Sequence, residues 1–456
     1  MPNEKIPARA VLAFVNALES SRVNMHGFLM MREGEIAAEG YWKPFHKDVP
    51  HRMYSVSKSM TALAIGMLAG DGRLKLDDPI AAYFPEYIPD PLPGPLERMT
   101  LRHMLKMATV HSFTTYKRMQ DDNWTRTFFT VPPDHEPGAV FTYDTSSSHT
   151  LAALVQKLTG QTLDAFLKQR LFDPLGCSGA MRWLRDPAGV CLGGSGLICT
   201  LRDLGRVAAC CLRGGEGLVP EDFLREATSK QIETPLQPLY DEQFGYGYQF
   251  WRTRENGYAM FGMGGQLAIC LPEYNLAVCT VADTQLDYAG VQKIYDALFH
   301  FALPIIKEGG DDNGAQAELN KRLPDLAIPA VENHPAFERW HEYIFQFEQN
   351  PMGITQLKVT KGRLRWSGSA GEQELPFGVG AMESGIFPGT GEPCITSAGW
   401  IAPKVLHLVC HVFGDEPGVM DLLLAFDGGH LTMKMRSTPN AILQAYNGIL
   451  SGIEVL

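Results

Sequence analysis

The sequence predicts an α/β (α+β) chain of two domains: an antiparallel sheet accompanied by helices, then a β-rich domain. Three observations predict this. Apolar residues recur at helical spacing, as in Met60, Leu63, Ala64, Met67 and Leu68. Short apolar runs after Gly245 are joined by turns so tight that the strands must be antiparallel. Beyond residue 330 the apolar pattern alternates with period two.

The elements follow in order. Leu12, Val15 and Leu18 mark an opening helix within Ala8 to Leu18. Phe28 to Met31 and Ile36 to Tyr41 flank Arg32-Glu33-Gly34-Glu35, a hairpin signal. The helix that carries Met60 to Leu68 stops at Gly70-Asp71-Gly72. From about Asp77 to Gly176 the pattern is mostly helical, cut by loops at Pro89 to Pro95 and Val131 to Pro137, with Leu151 to Leu158 ended by Gly160. Strands are expected at Tyr246 to Trp251, Tyr258 to Phe261, Gln266 to Leu271 and Leu276 to Val281. Tyr288 to Phe301 reads as an amphipathic helix ending near Pro304. The polar, Gly-rich stretch 307–330 is the expected linker between a domain over 1–306 and a β-rich one over 331–456. The last domain alternates at Leu406, Leu408, Cys410 and Val412 and again at Leu431, Met433 and Met435.

Composition narrows the function. The net charge of −11 argues against nucleic-acid or anionic-membrane partners, which require clustered Lys and Arg. No run of 18 apolar residues predicts a membrane span. Met1 to Ala10 lacks the basic start and apolar core of a secretory signal, and nine scattered cysteines without a C-x-x-C pair suit reduced thiols, so a cytoplasmic protein is expected. The thirteen histidines form no His-Glu-x-x-His, and His407 and His411 lie on a strand-like run, so no metal site is expected.

One constellation carries chemistry. Ser55-Val56-Ser57-Lys58 is the one Ser-x-x-Lys in the chain. On a helix these two residues share a face, about 5–6 Å apart at Cβ. A serine hydroxyl needs activation to attack a carbonyl. A lysine withdrawn from water loses its preference for the charged form and can accept that proton. At a helix start the backbone N–H of Ser55 can also face a developing oxyanion. Alone the motif is weak, since about one such spacing arises by chance at this length and composition.

The surrounding residues add weight. The run Tyr54 to Thr61 is followed by Gly72-Arg73-Leu74-Lys75-Leu76-Asp77-Asp78-Pro79, Tyr83-Phe84-Pro85-Glu86 and Met99 to Leu105. Pro137-Gly138, Leu171 to Gly176, Gly193-Gly194-Ser195-Gly196-Leu197, Tyr246 to Trp251 and Gly262 to Pro272 come next. In this order they resemble the serine β-lactamase-like family over about Ala8 to Ala302. The resemblance is to its branch of class C β-lactamases, penicillin-recognising carboxypeptidases, esterases and 6-aminohexanoate-dimer hydrolases. It implies an antiparallel sheet flanked by helices, a helical subdomain, and no cofactor.

It also implies site residues. Tyr143, in Tyr143-Asp144-Thr145, matches the tyrosine of the family's Tyr-x-Asn and would serve as general base on Ser55, with its pKa lowered by Lys58. Thr145 replaces the asparagine, and Asp144 is expected beside the site or facing solvent. Met263-Gly264-Gly265 stands where relatives have Lys-Thr-Gly or His-x-Gly, and the N–H of Gln266 would be the second oxyanion donor. The missing cation at Met263 disfavours a substrate carboxylate there, and so a β-lactam. Met263 also reads as ordinary packing. Tyr248 and Trp251 either line the acyl or leaving-group pocket or pack in the core. Met107, where relatives carry a histidine, reads as structural.

The expected activity is hydrolysis of a small ester or amide through an acyl-enzyme on Ser55. The alternatives are a D-amino-acid peptidase or amidase, β-lactamase-type activity, or a non-catalytic binding module. The β-rich domain would cover the site, extend the core or mediate a homodimer.

Overall fold

In a computed structural model the chain is described over residues 6–310, 314–350, 352–369, 371–438, 443–444 and 446–455. It divides into two compact units. The first comprises residues 1–284 and 289–327, the second 285–288 and 328–456. Sequence reading ended the first domain at residue 306. The chain instead continues into a helix at Ala315–Arg322, which buries Leu319 and pairs Arg322 with Glu19, so much of the expected linker belongs to the first unit.

The first unit is built on a six-stranded antiparallel sheet: β1 (Met25–Arg32), β2 (Glu35–Tyr41), β3 (Trp251–Arg252), β4 (Tyr258–Gly262), β5 (Gln266–Leu271) and β6 (Leu276–Ala282). Their order is β2-β1-β6-β5-β4-β3. Its main helices are α1 (Ala8–Ser20), α2 (Val56–Gly70), α3 (Thr145–Thr159), α4 (Leu201–Leu212) and α5 (Gly290–Asp296). Successive residues of a strand face opposite sides. On β1, Phe28 accordingly meets Phe14 of α1 edge-on at 5.6 Å, while Leu29 packs on Gly205 of α4. A Cβ on Gly205 would sit 2.3 Å from Leu29, so the glycine sets how closely that helix approaches. Helices thus cover both faces, and β5 and β6 are buried throughout.

Two elements differ from the sequence reading. Of the expected strand Tyr246 to Trp251, only Trp251 enters the sheet. The chain reverses at Gly247, whose N–H bonds Phe250 O at 2.8 Å, and Gln249 takes φ +64°. Gly247 is confined there because a Cβ would lie 2.0 Å from Ala227 O. The helix expected to end near Pro304 runs on to Glu308 through a π-helical stretch, Ala297–Ala302, with Pro304 in the first turn of the segment after it, where a missing N–H costs little.

The second unit is the β-rich domain, an eleven-stranded sheet between Tyr343 and Glu454. Its long strands Pro393–Ala402, Val405–Val412, Gly418–Asp427 and His430–Ser437 pair in sequence, antiparallel. Alternate residues such as Leu406, Leu408, Cys410 and Val412 enter one apolar core.

Candidate active site

Ser55 caps α2, whose body is buried from Val56 to Leu68. The residue before it, Tyr54, has φ +46°, a strained conformation for a bulky side chain. Neighbouring bonds hold that turn. Met53 N–H donates to Leu197 O at 2.8 Å, and Ser57 Oγ donates to Tyr54 O at 2.6 Å while accepting from Leu197 N–H at 2.9 Å. Ser59 Oγ anchors the next turn on Gln249 O at 2.6 Å. The three serines of Ser55-Val56-Ser57-Lys58-Ser59 therefore divide their work: two fasten the helix and Ser55 is left partly open.

Lys58 is 1 % exposed. Its Nζ donates to Ser55 Oγ at 3.1 Å, Thr145 Oγ1 at 3.2 Å and Gly194 O at 2.7 Å. Burial disfavours the ammonium and pushes the pKa down to about 7, although the Asp144 charge opposes this. Asp144 is buried rather than facing solvent. It caps α3, accepting from Ser146 N–H at 2.8 Å and Ser147 N–H at 3.2 Å, and burial raises its pKa to about 6. That cap starts α3 at Thr145 and so points Thr145 Oγ1 at Lys58. Gly194 fits because a side chain there would meet Thr145 and Lys58.

The Tyr143 phenol interacts with Ser55, and its ring lies under Lys58 Nζ, 4.8 Å from centroid to nitrogen. The expected fall in its pKa is not found. Burial pushes the phenol up, and the Glu242 charge adds to this, outweighing the opposing influence of Ser55. Lysine sits over the ring face rather than at the phenol oxygen, so it stabilises the phenolate less than the sequence suggested. Trp251 stacks on Tyr143 at 5.7 Å within a cluster holding Met107, Phe141, Tyr246 and Phe261. Met107 is buried there as packing. Tyr248 does not join this group. It is buried in the main core, with its hydroxyl held by Arg102 and, at 3.1 Å, Glu226.

Met263-Gly264-Gly265 forms the turn between β4 and β5. Gly264 and Gly265 take φ +82° and +96°, which only glycine adopts readily. Gly262, which precedes the turn, lies against the segment that leads into Ser55: a Cβ would be 2.2 Å from Met53 O. Met263 is 43 % exposed, so it is not core packing. The Gln266 side chain is committed internally, donating to Met263 O at 2.9 Å and Ala282 O at 2.8 Å.

A profile of the Beta-lactamase family matches residues 25–300, more than half the chain. The chain belongs to that family. Among curated relatives it is 27% identical over 203 residues to the 6-aminohexanoate-dimer hydrolase of Paenarthrobacter ureafaciens, covering 41% of this chain and 52% of that one. It is also 27% identical over 198 residues to Esterase EstB of Burkholderia gladioli, covering 38% and 50%. The matched part thus spans about half of each relative. Among solved structures, the octameric penicillin-binding protein homologue from Pyrococcus abyssi aligns with TM-score 0.53 and 16% identity over 97% of this chain and 99% of that one. A penicillin-binding protein homologue from Caulobacter crescentus aligns with TM-score 0.52 and 18% identity over 63% and 98%. These likenesses establish the β-lactamase and penicillin-binding-protein fold.

Sequence reasoning paired Ser55, Lys58, Tyr143 and Thr145, and the fold brings all four together. It missed Gly194 as an acceptor for Lys58. The Gly193-Gly194-Ser195-Gly196 run was the available signal, but nothing in it told which carbonyl would face the lysine.

Proposed function

We propose that the first domain is a serine hydrolase that cleaves a carboxylic ester or amide through an acyl-enzyme on Ser55. The observation that carries this is a buried lysine, poised to be neutral near pH 7, bonded to an accessible serine hydroxyl. Neutral Lys58 accepts the Ser55 proton as Oγ attacks the carbonyl. Main-chain N–H groups of Ser55 and Gln266 hold the oxyanion. Tyr143, protonated at neutral pH, donates to the leaving group, and the proton returns from Lys58. Water then cleaves the acyl-enzyme by the reverse traffic. Met263 in place of a cation supports esters and amides without a carboxylate at that point, rather than β-lactams.

The test is turnover of p-nitrophenyl butyrate with labelling of Ser55 by a fluorophosphonate, read by mass. Ser55→Ala should lose both. Turnover that survives in that variant would refute the reading, and absent labelling would favour a non-catalytic binding module. Peptidase or amidase action on D-aminoacyl amides is the second reading; the relative named 6-aminohexanoate-dimer hydrolase supports only its amidase part, since a dimer of an amino acid is joined by an amide. Nine free cysteines support a reducing, cytoplasmic setting. Among the described residues no helix is long and apolar enough to cross a membrane.

A further inference from the structure

Gln249 is the point at which three segments of the site meet. It takes φ +64°, a backbone conformation that glycine adopts more readily, yet it carries a side chain there that is 2 % exposed. Every polar atom of the residue is used. Its carbonyl accepts from Ser59 Oγ at 2.6 Å, and its Oε1 accepts from Ser148 Oγ at 2.6 Å. Its Nε2 donates to Met104 O and Leu105 O, both at 3.1 Å, and its own N–H donates to Leu105 O at 3.0 Å.

Those partners lead directly to the chemistry. Ser59 adjoins Lys58 on α2. Ser148 lies on α3, one turn beyond Thr145, whose hydroxyl accepts from Lys58 at 3.2 Å. Met104 and Leu105 end the short helix Leu101–Leu105, where carbonyls lack partners within the helix. Two residues on from Leu105, Met107 O accepts from Thr142 N–H at 2.7 Å, next to Tyr143. Gln249 thus joins α2, α3 and the segment that supports Tyr143. Lys58 is shut from water where α2 meets α3. A strained backbone position held by a side chain that ties these parts together points to a use in the site.

We propose that Gln249 is a positioning residue, which clamps α3 against α2 so that water is kept from Lys58 and the lysine can serve Ser55 as its base. This rests on the acyl-enzyme reading above. Gln249→Gly removes the side-chain bonds without straining the turn, since glycine accepts φ +64°. Ser148→Ala breaks the bond to α3 alone and is the milder variant. Loosening the clamp admits water to Lys58, which restores its preference for the ammonium. The charged groups acting on Lys58 are Asp144 and Lys117, with the Tyr143 ring beneath it, and neither variant replaces any of these. Asp144, raised to about 6, is ionised over pH 7–9, and Tyr143 stays a phenol there.

The readout is kcat/KM for p-nitrophenyl butyrate between pH 5 and 9, per site labelled by the fluorophosphonate. This ester needs no proton on its leaving group, so it reports Lys58 rather than Tyr143. In Gln249→Gly the acid limb should move up by about one pH unit, giving about a fivefold loss at pH 7 that shrinks to within about twofold at pH 9. Ser148→Ala should move the limb the same way by about half as much, a loss of about twofold at pH 7. A clamp that serves folding alone would lower denaturant stability and the labelled fraction, and leave the limb and the activity per labelled site in place. Should Gln249→Gly yield no labelled enzyme, Ser148→Ala carries the test. A limb that stays in place or is absent from the wild type, or a loss equal at pH 7 and pH 9, overturns the inference. Ser55-dependent turnover in that case leaves the hydrolase reading standing, and its absence from the wild type overturns both.

Discussion

The pH profile of a neutral ester tests whether Lys58 is the base. Its pKa is lowered to about 7 by burial, so the reactive form is the free amine above that value. With a single group at 7, about half the enzyme is competent at pH 7, about a tenth at pH 6 and about a hundredth at pH 5. Wild-type kcat/KM for p-nitrophenyl butyrate should therefore fall about fiftyfold from pH 7 to pH 5, with a slope approaching one. No matching loss is expected up to pH 9, because Tyr143 is held as a phenol by burial. Asp144, raised to about 6, also titrates in this window, and one variant separates the two. Its negative charge favours the Lys58 ammonium, so Asp144→Asn should move the acid limb to lower pH. If the limb belonged to Asp144 it would vanish. A flat profile from pH 7 to 5, with turnover still dependent on Ser55, refutes Lys58 as the base.

Three further outcomes are expected. Tyr143→Phe should lower kcat for an alkyl ester by about 10²–10³-fold but for a p-nitrophenyl ester far less, since p-nitrophenolate leaves without a proton; equal losses would count against the donor role. Gly262→Ala forces a Cβ against Met53 O and displaces either the nucleophile's turn or the oxyanion turn, so kcat/KM should drop by about 100-fold while the circular-dichroism spectrum is kept. Lys58→Met should abolish turnover yet raise denaturant stability at pH 6 by about 1–3 kcal/mol. The sign follows from linkage: unfolded Lys58 binds a proton up to 10.5 and folded Lys58 only to about 7. Wild-type stability from this group is thus lowest below 7 and rises with pH through that window, and the variant lacks that rise.

Much of the fold could be read from the chain because the pattern was local. β1, β2 and β4 to β6 are short apolar runs between turn residues, and α2 ends where Gly70-Asp71-Gly72 said it would. What failed was decided by tertiary contact. Tyr246 to Trp251 has the composition of a strand, but Gly247 is pressed on Ala227 O and the chain turns back. The polar stretch after Pro304 has the composition of a linker, but Leu319 finds a buried place and the helix forms.

The site shows the same division at closer range. Spacing alone put Ser55 and Lys58 on one helical face, and the structure adds the 3.1 Å bond. Which of Lys58 and Tyr143 takes the proton was not readable, because it depends on how far each is removed from water. The same burial acts on both with opposite results. It neutralises an ammonium and protonates a phenolate, so it lowers the pKa of Lys58 and raises that of Tyr143. At neutral pH about half of Lys58 is thereby a free amine, able to accept a proton, while Tyr143 stays a phenol, able to donate one. A phenolate base would need an ammonium beside its oxygen, and Lys58 lies over the ring while spending its bonds on Ser55, Thr145 and Gly194. The geometry therefore favours the proposal that the lysine is the base, rather than the tyrosine, where the resemblance placed it.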